Sequence, residues 1–252
     1  MANYENQPAR YGARATGAVG AVDEGLRAYM LRVYNYMAIG LALTGAFAYG
    51  VFSVAFQETA SGLRFTEIGQ TLFGSPLRWV IMLAPLAMVF FLSFRVHTMA
   101  VGTAQLVFWV FAALMGVSLA TFFALYTQNS ITQVFFITAA TFGAVSLWGY
   151  TTQRDLTGMG SFLFMGLIGL IIAMLVNWWL ASSALGFAIS VIGVLIFTGL
   201  TAYDTQKIKE MYFAGDDAAV SGRKAIMGAL SLYLDFINLF LMFLRLFGQS
   251  RE

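Results

Sequence analysis

Cysteine is absent from the 252 residues, and histidine occurs once, at His97. Without thiols there are no disulfides, no thiolate metal ligands and no cysteine nucleophile. One imidazole is too few for a transition-metal site. Charge is scarce as well: 10% of the residues are Asp, Glu, Lys or Arg, against about 25% in a soluble globular domain. The net charge of +2 comes with no basic patch interleaved with aromatics, which argues against nucleic acid as a partner. A P-loop, a dinucleotide-binding fingerprint, an HExxH motif and a nucleophile elbow are all missing. The expectation is therefore a protein that is not an enzyme and holds no tightly bound cofactor.

What abounds is apolar surface. Hydrophobic residues make up 60% of the chain and the mean hydropathy is +0.77, so the solvent for most of it is the lipid bilayer. A helix needs ~20 apolar residues to cross ~30 Å of hydrocarbon, and charge-free runs mark the candidates. Residues 33–57 and 79–94 give two spans, the second short and expected to kink at Pro85. The uncharged stretch 96–153 gives two more, broken at "YTQNS" (126–130), and 156–203 another two, divided near "NWWLASSALG". A last span covers about 226–247. The fold class read from this pattern is an all-α integral membrane protein of seven transmembrane helices, with residues 1–27 as a polar cytoplasmic tail and 28–252 as the membrane domain. The tail has no apolar core and fails as a signal peptide.

Orientation is read from Lys and Arg in the connecting segments. With the amino terminus inside, ten of the 14 basic residues fall on the inner side and four on the outer. That asymmetry favours a cytoplasmic amino terminus and an external carboxyl terminus, unless the last helix re-enters. Glycines inside spans, as in "GLIGL", read as close helix contacts.

One residue is out of place in the last span, "ALSLYLDFINLFLMFLRL": Asp235 is the only charge between residues 225 and 244. A carboxylate near the bilayer midplane costs at least ~2.5–3.5 kcal/mol on insertion scales, so it should face the bundle and be protonated, hydrogen-bonded or paired. Ser231 and Asn238 share its helical face and are candidate supports. Two readings stay open, a functional carboxylate or an interhelical hydrogen bond acting as glue. Asp204, closing the run before "TQKIKE", is as consistent with an interfacial salt bridge to Lys207 or Lys209 as with a deeper, functional carboxylate. If close, the two acids would share a proton and titrate as a unit. Arg95, in "FFLSFRVHTM", reads as a positive-inside anchor or as a latch for an acidic group, while Arg154 and Asp155 read as a turn in which Asp155 caps the next helix. "YD" at Tyr203 and Asp204 suits an intramembrane aspartyl protease, but Asp235 follows "LYL" rather than a glycine motif.

"TAYDTQKIK" (201–209), "ALSLYLDFINLFLMFLRLFG" (229–248) and "YNYMAIGLALTGAFAY" (34–49) together resemble the Bax inhibitor-1 family, in its bacterial members. The resemblance covers most of the chain after residue 28. It implies a fold in which the last helix is central and surrounded by the others, and a pH-dependent calcium leak controlled by a di-aspartyl sensor that falls on Asp204 and Asp235. It also implies an arginine latch, for which Arg95 is the nearest candidate. An acidic residue that some relatives carry in the second helix has no counterpart here. Calcium, with Asp204 and Asp235 as its ligands, would be the permeant ion. The competing expectation is a regulatory protein that binds and modulates a membrane protease or other membrane partner, with the tail as contact; a proton-coupled transporter is a third. The bacterial inner membrane is the expected location.

Overall fold

The computed structural model describes residues 8–59 and 62–251, with side chains from residue 24 onward. Most of the segment read as a polar tail lies outside the described side chains. The first helix, α1, runs Pro8–Ala55, and its apolar part begins at Glu24. A hairpin follows, β1 (Phe56–Thr59) paired antiparallel with β2 (Gly62–Phe65), then a helical turn α2 (Glu67–Gly69) that widens through residues 70–74. The remaining helices are α3 (Leu77–Arg95), α4 (Val101–Leu125), α5 (Gln128–Thr151), α6 (Thr157–Leu180), α7 (Ser183–Glu210) and α8 (Ala218–Phe247). All but α2 are long and apolar enough to span a membrane, which makes seven spans among the described residues.

Short polar sequences end the helices. Thr127 accepts a hydrogen bond from the Ser130 N–H, Ser182 from that of Leu185, and Asp217 from that of Val220, the pattern of N-terminal caps. "YTQNS" and "NWWLASSALG" break the chain where expected, the second at Ala181, whose φ of 48° is left-handed. Pro85 sits inside α3 without ending it. The hairpin was not anticipated. Its strands are four residues each, too short for periodicity to register, and its rings cluster with the widened turn: Phe56 lies 5.1 Å from Phe65 and 5.9 Å from Phe73.

α8 is the most buried span, with 72% of its most apolar window inside the protein against 11% for α6. It packs on α1, α4, α5 and α7, while α3 lies mainly on α4 and α6 on α7. The last helix therefore has four close neighbours rather than six. α1 and α4 are drawn together at Gly116, where an added Cβ would fall 2.5 Å from the Thr44 carbonyl oxygen and 2.8 Å from Phe47 Cβ.

The two ends of the bundle differ. One carries the 96–100, 152–156 and 211–217 connections and most of the Lys and Arg; we call it the basic end. The other carries the hairpin, the α4–α5 turn and the carboxyl terminus. α8 is one continuous helix, so the chain does not re-enter after it. Residues 249–251 instead fold over that end: the Thr127 N–H donates to the Gln249 carbonyl (3.0 Å), the Arg251 N–H to the Leu125 carbonyl (2.9 Å), and the Arg251 guanidinium reaches Glu58 (3.1 Å).

Candidate functional site: a carboxylate cavity between α6, α7 and α8

The register of α7 against α8 sets the site. Ile208 fits over Gly228 near the basic end, and Met242 fits over Gly193 toward the other. The helices are antiparallel, so these two contacts place Asp235 level with Leu200 or Thr201, three to four residues and about 5 Å deeper than Asp204 at 1.5 Å per residue. Side chains lean toward the amino terminus of their own helix. On antiparallel helices that tilt carries Asp204 deeper and brings Asp235 outward, so the carboxyls lean toward each other across the offset and face the same cavity.

Both line a cavity of about 620 Å³, together with Ser231 and Asn238 of α8 and Gly160 and Ser161 of α6. Gly160 is needed where Tyr203 packs, since a Cβ there would sit 2.5 Å from the ring. Gln206 holds the start of this wall, its carbonyl oxygen accepting from the Leu156 N–H and its amide donating to the Arg154 carbonyl, each at 2.8 Å. Asp235 is 6% exposed, and its Oδ2 is buried with no hydrogen-bond partner among the described residues. Buried carboxylate oxygens are nearly always paired, and one left open at the wall of a polar cavity is a site that can receive a proton or a cation.

The other candidates are distributed as follows. Asn238 lines the cavity, but its amide donates to the Leu234 carbonyl of its own helix (2.8 Å), and neither it nor Ser231 bonds Asp235. Asp204 forms no salt bridge among the described residues: Lys207 lines the same cavity but lies over the Tyr203 ring (5.9 Å), and Lys209 donates to the Tyr150 carbonyl (2.8 Å). Arg95 is exposed at the end of α3, a helix that packs on α4, and lies outside the cavity lining. The structure does not bring it to the aspartates. His97 is exposed in the turn that follows. Asp155 does accept from the Thr157 N–H at 2.8 Å, and hydrogen bonds from Thr157, side chain first and backbone second, hold its carboxyl below the usual range. Residues missed in the sequence are Gln206 and Gly160, and Tyr203 registers there only as part of the "YD" pair. Tyr203 and Gln206 flank Asp204 in "TAYDTQK"; Gly160 carried no distinguishing signal.

No group of three or more His, Cys, Asp or Glu side chains suited to a metal occurs among the described residues. Two carboxylates fall short of the six to eight oxygens of a strong calcium cage, so the cavity suits transient contact with a cation rather than tight binding.

Seven apolar spans, three of which line a cavity holding two carboxylates, define a multi-pass α-helical membrane protein. Residues 26–252 match the family model described as inhibitor of apoptosis-promoting Bax1, and the chain belongs to the Bax inhibitor family. It is 53% identical over 232 residues to a protein of Rickettsia prowazekii, covering 91% of this chain and 93% of that one. It is also 47% identical over 234 residues to a Caulobacter vibrioides protein, covering 92% of each. The inner membrane protein YbhL of Escherichia coli is 46% identical over 230 residues, 90% of this chain and 94% of YbhL.

Proposed function

We propose that the protein is a pH-sensitive cation leak channel, with calcium as the permeant ion and Asp204 and Asp235 as the gate. The observation that carries this reading is the uncompensated Asp235 carboxyl, buried in a membrane span beside Asp204 in one cavity. With one proton between them the two acids can hold each other and keep α7 against α8. With none, two like charges in a low-dielectric site repel and favour separation and cation entry. The available oxygens are the two carboxyls, the Asn238 carbonyl left free by its amide bond, and the Ser231 hydroxyl, a hard set suited to calcium. Neither an enzymatic role nor a resident cofactor is part of this reading. The name of the E. coli relative supports a bacterial inner membrane location, and the excess of Lys and Arg at the basic end supports placing that end in the cytoplasm.

The test is calcium flux into liposomes carrying the purified protein, scanned between about pH 6 and 8. Flux is expected to rise with pH, because deprotonation drives the pair apart. Asp235→Asn and Asp204→Asn should flatten the profile. Wild-type protein without flux, or a profile unchanged by Asp235→Asn, sinks the proposal.

A further inference from the structure

A groove of about 1190 Å³ runs between α1 and α5, floored by Phe236 of α8. The two helices are joined by one hydrogen bond, Tyr34 Oη to Ser146 Oγ at 2.6 Å, but do not pack as α1 packs on α4. Among the larger apolar residues that line the gap are five small ones, Ala38, Ala42 and Gly45 on α1 and Ala139 and Gly143 on α5. Small residues at such spacing ordinarily let membrane helices approach. Here they hollow out space instead, since a Cβ added to Gly45 or Gly143 would meet nothing within 4 Å. Tyr34 and Ser146 are satisfied by each other and by Thr205 (2.9 Å from Ser146), so the wall makes no polar demand along its length.

Charge enters at the basic end alone. Arg27 lines the mouth, is exposed and has no ion pair among the described residues. Tyr150, also at the mouth, holds the Lys209 ammonium through its carbonyl (2.8 Å). From Met30 to Ala46 the groove extends about 24 Å at 1.5 Å per residue, close to one leaflet of a bilayer ~40–45 Å thick. An apolar slot of that length with a cation at one end is complementary to a hydrocarbon chain that carries an anionic head.

We infer that this groove is a binding site for an anionic phospholipid, its acyl chain against the small residues and its phosphate at Arg27, with Lys209 adding positive charge. The test is native mass spectrometry of the full chain released from nanodiscs of phosphatidylglycerol mixed with phosphatidylcholine. Wild-type protein should retain phosphatidylglycerol about tenfold over phosphatidylcholine, and Arg27→Gln should remove most of that preference. Gly143→Leu has room in the fold and should cut retention of both lipids while leaving the circular dichroism spectrum and Tm unchanged. Equal retention of the two lipids by the wild type, or retention unaffected by Gly143→Leu, overturns the assignment. So does efficient disulfide cross-linking of Gly143→Cys between copies in this otherwise cysteine-free chain, which would mean that a second molecule covers the groove.

Discussion

Tyr233 and Asp235 stand two residues apart on α8, both buried polar groups in the same helix, and their surroundings are opposite. Tyr233 is fully buried, its ring set edge-on to Phe108 (5.9 Å) and Phe111 (5.3 Å) of α4. Its hydroxyl meets Thr44 of α1 at 2.6 Å, and Thr44 in turn donates to the Ala112 or Gly40 carbonyl (2.9 Å each). Both hydroxyls of this network have partners, and the chain of bonds ties three helices. Asp235 faces the other way, into a cavity, with an oxygen that nothing in the described protein satisfies. A buried polar network that is complete rigidifies, whereas one left open costs stability. The α1–α4–α8 side of the bundle thus holds the fold together, and the α6–α7–α8 side bears the cost of a site.

The contrast can be broken most severely at Gly116. Leucine there must push the Thr44 backbone and Phe47 aside, beyond the ~1–3 kcal/mol of ordinary overpacking, and purified Gly116→Leu should elute without a monodisperse peak in size-exclusion chromatography. Tyr233→Ala empties a fully buried site and should cost about 3–5 kcal/mol, measured by denaturant unfolding in micelles. Tyr233→Phe keeps the ring and removes one interhelical hydrogen bond, worth roughly 0.6–1.7 kcal/mol inside membranes. Thr44→Val should add little to it in a double-mutant cycle. At about pH 8, where the pair no longer shares a proton, Asp235→Leu should move stability the other way, with Tm equal to or above wild type, because it relieves a buried uncompensated carboxyl. A fall of several degrees would mean that Asp235 is glue after all. The smallest effect is expected of Arg95→Gln, which should alter neither Tm nor the pH profile of flux; a changed profile would show a latch that this conformation does not display.

The spans were legible because lipid imposes a rule of length and charge that needs no knowledge of neighbours. The breaks at Tyr126–Thr127 and Ala181–Ser182 were legible for the same reason. Asp235 announced itself through cost alone. Its setting did not, since spacing along α8 nominates Ser231 and Asn238 as supports yet cannot reveal that the Asn238 amide is used within its own helix. Nor can spacing give the α7–α8 register, which depends on Gly193 and Gly228 admitting Met242 and Ile208 from across the interface. Arg95 shows the converse limit: proximity to a family pattern in sequence says nothing of which helix its own span leans on, and α3 leans on α4.

α8 is the most buried span and also the last to be made. Chains insert and fold from the amino terminus as they are synthesised, so the first six spans must reach the membrane before the helix that α1, α4, α5 and α7 pack against exists. Until then the slot bounded by Phe108, Phe111 and Thr44 stands open to lipid, with the Thr44 hydroxyl lacking its Tyr233 partner. A message truncated between codons 210 and 218 would therefore yield six inserted helices and no completed bundle, a product marked for quality control by the vacancy left where α8 should pack.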